Sequence, residues 1–433
     1  MRVGIYVPEI GPERGGAYTF IETVLAALSS ATDSIVVFHY GSSAAIRGID
    51  ERSEATGGGN PTGFAGRAGG GALRGIDARV EFHCLAAGPL GRLVRKLWFG
   101  EVSSRLQRPV HAVSGLLNRK LPYPSGSPLD HAARARGIDL MWFPTPVCER
   151  VEVPYVVTIW DLEHRLHPYF PELAANGEWP ARERYFSEVV RRAAYVVTGT
   201  AIGRDEIARF YGVDVERMRI LPHPTPAFAL DSARSARPSL GVPVASPFVL
   251  YPAQFWSHKN HVGLLHGVAE LARRGTVVHC ALVGSDKGNL EHVRGRAAAL
   301  GIADRVHFLG FVSRDDLIAL YRNAAALAYV SLCGPENLPP LEAMALGCPV
   351  IASDFPGARE QLGDAALLVD TRDPALLADA IQRVMDSPEL RRELATKGTA
   401  RAARYTQTEF GRDIQAVVDE FRRTRELWNS DPA

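Results

Sequence analysis

The stretch Ser331–Ser353, SLCGPENLPPLEAMALGCPVIAS, reads as strand, loop, helix, turn and strand, and its residue types suit the binding of an anion beside a polyol. Pro339 and Pro340 fit the first turn of a helix, where a missing N–H has no intrahelical role. Gly347 supplies the stop before the strand Pro349–Ser353. The loop amides of Glu336, Asn337 and Leu338 are then expected to be unpaired, a ready anion site at a helix N-terminus. Glu342, one turn into that helix, can accept hydrogen bonds from vicinal hydroxyls such as those of a ribose. A second candidate is the loop Gly11-Pro-Glu-Arg-Gly15-Gly16, between the first strand and the first helix. Gly15 and Gly16 would let the backbone approach a phosphate, and the helix N-terminus favours negative charge. Its spacing is not G-x-G-x-x-G and no acidic residue ends the second strand where a dinucleotide fingerprint needs one, which counts against a nicotinamide dehydrogenase. No loop carries a DxD-type acidic pair, so no metal site is expected.

These residues need a scaffold, and the sequence describes one. Arg2–Pro8 alternates as a strand, Ala17–Ser30 carries Phe20, Val24, Leu25 and Leu28 at helical spacing, and Ser34–His39 is a second apolar strand. That opening predicts a parallel sheet. Residues 55–75 are mostly Gly, Ala, Arg and Pro and are expected to form a mobile loop. Strand Val80–Leu85 follows, then a basic stretch, Arg92–Lys120, and strands Leu140–Phe143, Tyr155–Ile159, Tyr195–Thr198 and Arg219–Leu221. The proline-rich stretch 226–247 lacks periodicity and is read as the linker. Six further strands, 248–253, 277–284, 306–310, 326–331, 349–353 and 366–370, alternate with helical segments, the signature of a second doubly wound sheet. The expected fold class is therefore α/β, with one Rossmann-like domain over 1–225, a second over 248–407, and a last helix from about 408 to 433 returning to the first.

Composition removes several classes. At 433 residues the chain exceeds one ordinary core, and its 46% hydrophobic and 22% charged residues are those of a globular protein. A net charge of +1 argues against nucleic-acid binding through a global positive field. Cys84, Cys148, Cys280, Cys333 and Cys348 form no CxxC pair or zinc spacing and are expected as buried thiols. The N-terminus enters a strand at once, and no apolar run is long enough for a membrane span, so a cytoplasmic protein is expected.

The segment LPPLEAMALGCPVIAS resembles the donor-site signature of the retaining glycosyltransferases of family 4. The resemblance implies the GT-B fold, two Rossmann-like domains with a deep interdomain cleft. In that family the second Glu of a Glu-(seven residues)-Glu motif binds the nucleotide ribose, which Glu342 matches, while the first falls at Gly334. Glu336 or backbone amides would then meet the sugar. In Tyr251–Asn260, YPAQFWSHKN, Lys259 matches the family's diphosphate-binding lysine and Gln254 stands where an arginine is usual, with His258 beside them. Gly284 matches a backbone passage next to the nucleotide, and Phe311 and Val312 match a segment lining the base pocket. In VVTIWDLEHRLHPYFPE, Trp160 replaces a usual His, and Asp161 and His164 are assigned to acceptor or transition-state contacts.

The resemblance implies retaining, metal-independent transfer of a hexose from a nucleotide diphosphate sugar to a saccharide or lipid-linked saccharide, as in bacterial surface polysaccharide or lipopolysaccharide synthesis. GDP-mannose is the first donor expected and a UDP-hexose the second. The stretch 92–120 carries seven Lys/Arg against one Glu and could rest on anionic lipid headgroups at the inner face of a membrane. Two other readings stand beside this one: a sugar-nucleotide epimerase on the same fold, and a nucleotide-sugar-binding protein without catalysis, the latter because of Trp160, Gln254 and Gly334.

Overall fold

A computed structural model of the chain describes residues 1–7, 16–32, 34–39, 80–85, 127–232 and 243–429. The loop Gly11–Gly15, the 55–75 segment and the basic stretch 92–120 lie outside the described residues. Backbone contacts divide the chain into two units. One is Met1–Thr158 with Ala193–Tyr195 and Gln415–Ala433; the other is Ile159–Arg192 with Val196–Ile414.

The first sheet has seven strands: β1 (Arg2–Tyr6), β2 (Ser34–His39), β3 (Val80–Cys84), β4 (Leu140–Phe143), β5 (Tyr155–Thr158), β6 (Tyr195–Thr198) and β7 (Met218–Ile220). Their order is β3-β2-β1-β4-β5-β6-β7. Its strands are apolar on both faces, as a parallel sheet flanked by helices requires: Val3, Ile5 and the run Ile35–Phe38 are buried. Helix Gly16–Ala31 turns Phe20, Val24, Leu25 and Leu28 into the core, the stripe its spacing predicts. Within the same unit, Arg425 of the last helix (Gln407–Asn429) pairs with Asp139 at 2.8 Å.

The second sheet has six strands: β8 (Phe248–Pro252), β9 (His279–Val283), β10 (Val306–Gly310), β11 (Ala326–Tyr329), β12 (Val350–Ser353) and β13 (Leu367–Val369). All pair in parallel, in the order β10-β9-β8-β11-β12-β13. Chain direction across the sheet reverses between the neighbours β8 and β11. Ligands of open α/β sheets bind outside the strand ends at that reversal, so the loops following β8 and β11 become the place to look.

Among the described residues, four helices form where the sequence suggests none: Pro128–Ala135, Glu163–Leu166, Pro171–Ala174 and Pro356–Leu362. A fifth, Ala227–Ser232, falls inside the proline-rich 226–247 stretch read as a linker. It forms because Ala229 is fully buried in the core of the second unit and the Pro226 carbonyl accepts the amides of Ala229 and Leu230.

Candidate functional site

Beyond β8, the chain makes one 3-10 turn over Ser257–Lys259 before helix His261–Arg273. Asn260 sits between them in the left-handed region at φ 53, and its side chain caps the helix by accepting the Gly263 amide at 3.1 Å. An Asn tolerates that conformation where most residues would be strained. This turn fixes Lys259, whose carbonyl accepts the Tyr251 hydroxyl at 2.5 Å. The Lys259 ammonium lies 3.3 Å from Ser331 Oγ and 3.5 Å from both Tyr329 Oη and Asn337 Oδ1. Burial works against its charge, but Tyr329, Cys333 and Asp161 around it hold its pKa above the ordinary lysine value. A lysine kept charged among neutral oxygens at a strand reversal is suited to a phosphate.

After β11 the chain runs through Ser331 to Gly334, whose φ of +103 favours glycine strongly over any side-chain-bearing residue. Asn337 precedes helix Leu338–Ala345 and is held on three sides: its Oδ1 accepts Tyr329 Oη at 2.7 Å, its Nδ2 donates to the Gly334 carbonyl at 2.8 Å, and its amide donates to Gln361 Oε1 at 3.1 Å. The last contact corrects the expectation of three unpaired amides, since Gln361 has taken one. Glu336 is buried beside Gly199, where an added Cβ would lie 1.3 Å from the Glu336 carboxylate. Its Oε1 accepts the His223 amide at 2.9 Å. Burial lifts its pKa to about 8, with Glu360 adding to the rise, so the group is mostly protonated at neutral pH.

A third segment, beginning just past β5, completes the wall. Asp161 accepts the Glu163 amide at 3.1 Å, and burial followed by the Glu163 charge raises its pKa. Glu163 accepts the Gly334 amide at 2.7 Å on one oxygen and meets His167 Nδ1 with the other. Glu172 Oε1 accepts the His258 amide at 2.9 Å and lies 2.6 Å from His258 Nδ1. Burial holds the His258 pKa down to about 4, so at neutral pH its uncharged ring donates to Glu172.

Together these segments enclose a cavity of about 320 Å³, all of whose lining residues belong to the second unit. Asp161, His258, Lys259, Glu336 and Asn337 line it, joined by Trp160, Glu163, Glu172, Arg182, His223, Trp256 and Gly334. Its size falls at the small end of pockets for drug-sized ligands, typically about 300–1,000 Å³.

Other expected residues of the second unit are not among those lining this cavity. His164 is fully buried against Phe186 and Trp179, with its Nε2 3.3 Å from Tyr211 Oη and 3.4 Å from Glu183, and burial lowers its pKa to about 4. It faces inward because the helix Glu163–Leu166 turns Glu163 and His164 to opposite partners. Glu342 accepts the buried Tyr321 hydroxyl at 2.7 Å, and burial lifts its pKa to about 7. Gln254 accepts Trp256 Nε1 at 3.1 Å. Gly284 ends β9 at φ +154, with the Ala253 carbonyl 2.2 Å from where a Cβ would be. Leu338 is buried, Phe311 is exposed, and Val312 packs on the core. Gly16 begins its helix in the first unit; Gly15 lies outside the described residues.

Glu163, His167 and Cys333 bring three ligand atoms within 4.8 Å of one another, the one such group among the described residues. The group is already closed by hydrogen bonding between Glu163 and His167, and burial keeps the Cys333 thiol protonated. Cys280, Cys333, Cys348 and Cys148 are in no disulfide; the first three are buried and Cys148 is half-buried.

Comparison with known proteins places this geometry in context. Residues 232–401 match the family model of glycosyl transferases group 1. A D-inositol 3-phosphate glycosyltransferase of Acidothermus cellulolyticus is 31% identical over 59% of this chain, which spans 60% of that relative's length. Among solved structures, sucrose-phosphate synthase of Thermosynechococcus elongatus superposes with a TM-score of 0.68 at 19% identity, covering 98% of this chain and 100% of the other. HepE of Anabaena in complex with UDP-glucose superposes with a TM-score of 0.64 at 17% identity, covering 97% and 100%.

Proposed function

We propose that the protein, whose residues 232–401 match the glycosyl transferases group 1 model and whose fold is GT-B, transfers a hexose from a nucleotide diphosphate sugar to a saccharide or lipid-linked saccharide acceptor, with retention and without a metal. The observation that carries this reading is Lys259: a half-buried, charged lysine at the β8/β11 reversal, whose ammonium has long contacts of 3.3 Å and 3.5 Å to neutral oxygens. Those contacts leave its donors available for the shorter bonds a diphosphate offers. Arg182 on the cavity wall supplies a second cation, so the charge a divalent metal would neutralise meets protein groups instead.

In the proposed step the bond between the anomeric carbon and the β-phosphate oxygen breaks while the acceptor oxygen bonds to the same face of that carbon. The acceptor's proton passes to the departing phosphate oxygen. Lys259 stabilises the charge that develops there, and Asp161 contacts the acceptor or the transition state. GDP-mannose is the first donor proposed and a UDP-hexose the second. The name of the matched relatives makes a phosphorylated polyol the second acceptor class. No helix among the described residues is long and apolar enough to cross a membrane, and the basic stretch 92–120 is proposed to rest on anionic lipid.

Thermal-shift titration with GDP, UDP, dTDP and ADP, with and without EDTA, tests the reading, because a ligand bound only to the folded state must raise its melting temperature. Stabilisation by one nucleotide, unchanged by EDTA and followed by turnover of its sugar, supports it. No shift from any nucleotide overturns it, and a shift without turnover leaves a binding protein.

A further inference from the structure

Resting on the transferase reading, we infer that Glu163 is the residue that recognises a hydroxyl of the transferred sugar. The cavity has two chemically distinct ends. Lys259, Asn337 and Ser331 offer a cation and neutral oxygens, the setting of a diphosphate. Next to them, Gly334 presents backbone and no side chain, and the Glu163 carboxylate covers that place from across the cavity.

Three observations make Glu163 more than a wall. It is buried at 6% exposure, and a carboxylate so placed is costly unless its oxygens are occupied. Three of its acceptor positions are filled, by the Gly334 amide at 2.7 Å, by the His167 ring and by the Cys333 thiol. A carboxylate offers about four acceptor sites, so about one remains. Its backbone amide is tied to Asp161 at 3.1 Å, so both carboxylates are held by one short turn whose position on the wall is fixed. A carboxylate with one open site, held rigidly, accepts one sugar hydroxyl, a contact that the nucleoside diphosphate alone does not make. The recognition therefore comes from a segment 171 positions away from the loop it completes.

The test compares two affinities in one protein. Glu163→Gln keeps an acceptor for the Gly334 amide, and its folding is checked by circular dichroism and melting temperature. Glu163→Asp, which keeps the charge and withdraws it by one methylene, is the second variant. Dissociation constants are measured by titration calorimetry for the nucleoside diphosphate that stabilises the wild type and for its hexose conjugate. A lost charge-assisted hydrogen bond is worth roughly ten- to a hundredfold. The expected result is a loss of that size for the nucleotide sugar in both variants, with the nucleoside diphosphate affinity within about twofold of wild type, and a matching fall in kcat/KM. Equal losses for both ligands, or no loss for either, overturn the assignment and leave the transferase reading standing. A wild type that binds no nucleotide overturns both.

Discussion

Replacing Glu336 with glutamine should flatten the pH dependence of the second unit's stability. The side chain is buried and its pKa is lifted from 4.5 to about 8. In the unfolded chain the proton leaves near pH 4.5, while the folded protein keeps it until about pH 8. The fold is therefore at full stability below pH 4.5, loses stability as the pH rises, and has lost the whole contribution above about pH 8. At 1.36 kcal/mol per pH unit, the separation between 4.5 and about 8 sets a ceiling of about 5 kcal/mol. Between pH 5 and pH 7 the same two pKa values give a loss of about 2–3 kcal/mol. Glutamine is isosteric, neutral at every pH, and still accepts the His223 amide now bonded at 2.9 Å. Urea unfolding followed by tryptophan fluorescence, at pH 5, 7 and 8.5 for both proteins, reads the difference directly. The variant should gain on the wild type by about 2 kcal/mol or more from pH 5 to pH 7. Parallel behaviour of the two proteins across that range would refute the reasoning, because it would mean that Glu336 is ionised in the fold.

Lys259→Met should lower kcat/KM by about 10²–10³-fold while leaving the melting temperature close to wild type, measured by steady-state transfer and thermal unfolding, because it removes the cation at the leaving group. Gly284→Ala should destabilise the protein by about 2 kcal/mol or more in a denaturant titration, since a Cβ there meets the Ala253 carbonyl at 2.2 Å and the backbone is at φ +154. Tyr321→Phe should cost about 1–3 kcal/mol, read the same way, because it strips Glu342 of its 2.7 Å donor inside the core. In activity assays, EDTA should leave the rate within about twofold, as expected where protein cations replace the metal's role.

The strands of the second sheet were legible because a parallel sheet buries both faces, turning each strand into a continuous apolar run such as FVLY or ALAY. β10 kept its expected bounds and the other strands shifted by one or two residues at an end, as at β9, where the expected 277–284 became His279–Val283 and Val277 is exposed. Short helices were not legible. Pro171–Ala174 and Pro356–Leu362 are too brief for a 3.6-residue period to declare itself. That omission had consequences in the site: Gln361, on the second of them, takes the Asn337 amide that was expected to be open. Glu342 shows another limit. Its place one turn into the helix was readable, but whether it turned toward the cavity or toward Tyr321 depended on a helix packed from elsewhere in the chain. Glu163 and Glu172 carried no local signal at all, since their partners lie 171 and 86 positions away.

Four carboxyl groups line a cavity proposed to hold a diphosphate, and their charge states decide whether that is physically coherent. Glu336 is mostly protonated at neutral pH, so it adds little repulsion there. Burial and the neighbouring Glu163 push Asp161 toward its neutral form. Burial opposes the Glu172 charge too, but the His258 amide and ring hold it below the ordinary carboxylate range, and its Oε1 is spent on those two donors. Lys259 keeps its charge, and Arg182 faces the same space. A cavity that looks acidic by composition is thus closer to balanced in charge, with Lys259 at the β8/β11 end and the buried Glu163 carboxylate beside Gly334. That separation is the polarity a nucleotide sugar presents: anionic phosphates beside a ring of hydroxyl donors. It also explains why the loop bearing Lys259 and the loop bearing Gly334 needed a third segment. The sheet reversal positions the end that bears Lys259, and the turn at Asp161–Glu163 places a carboxylate beside Gly334, which has no side chain of its own.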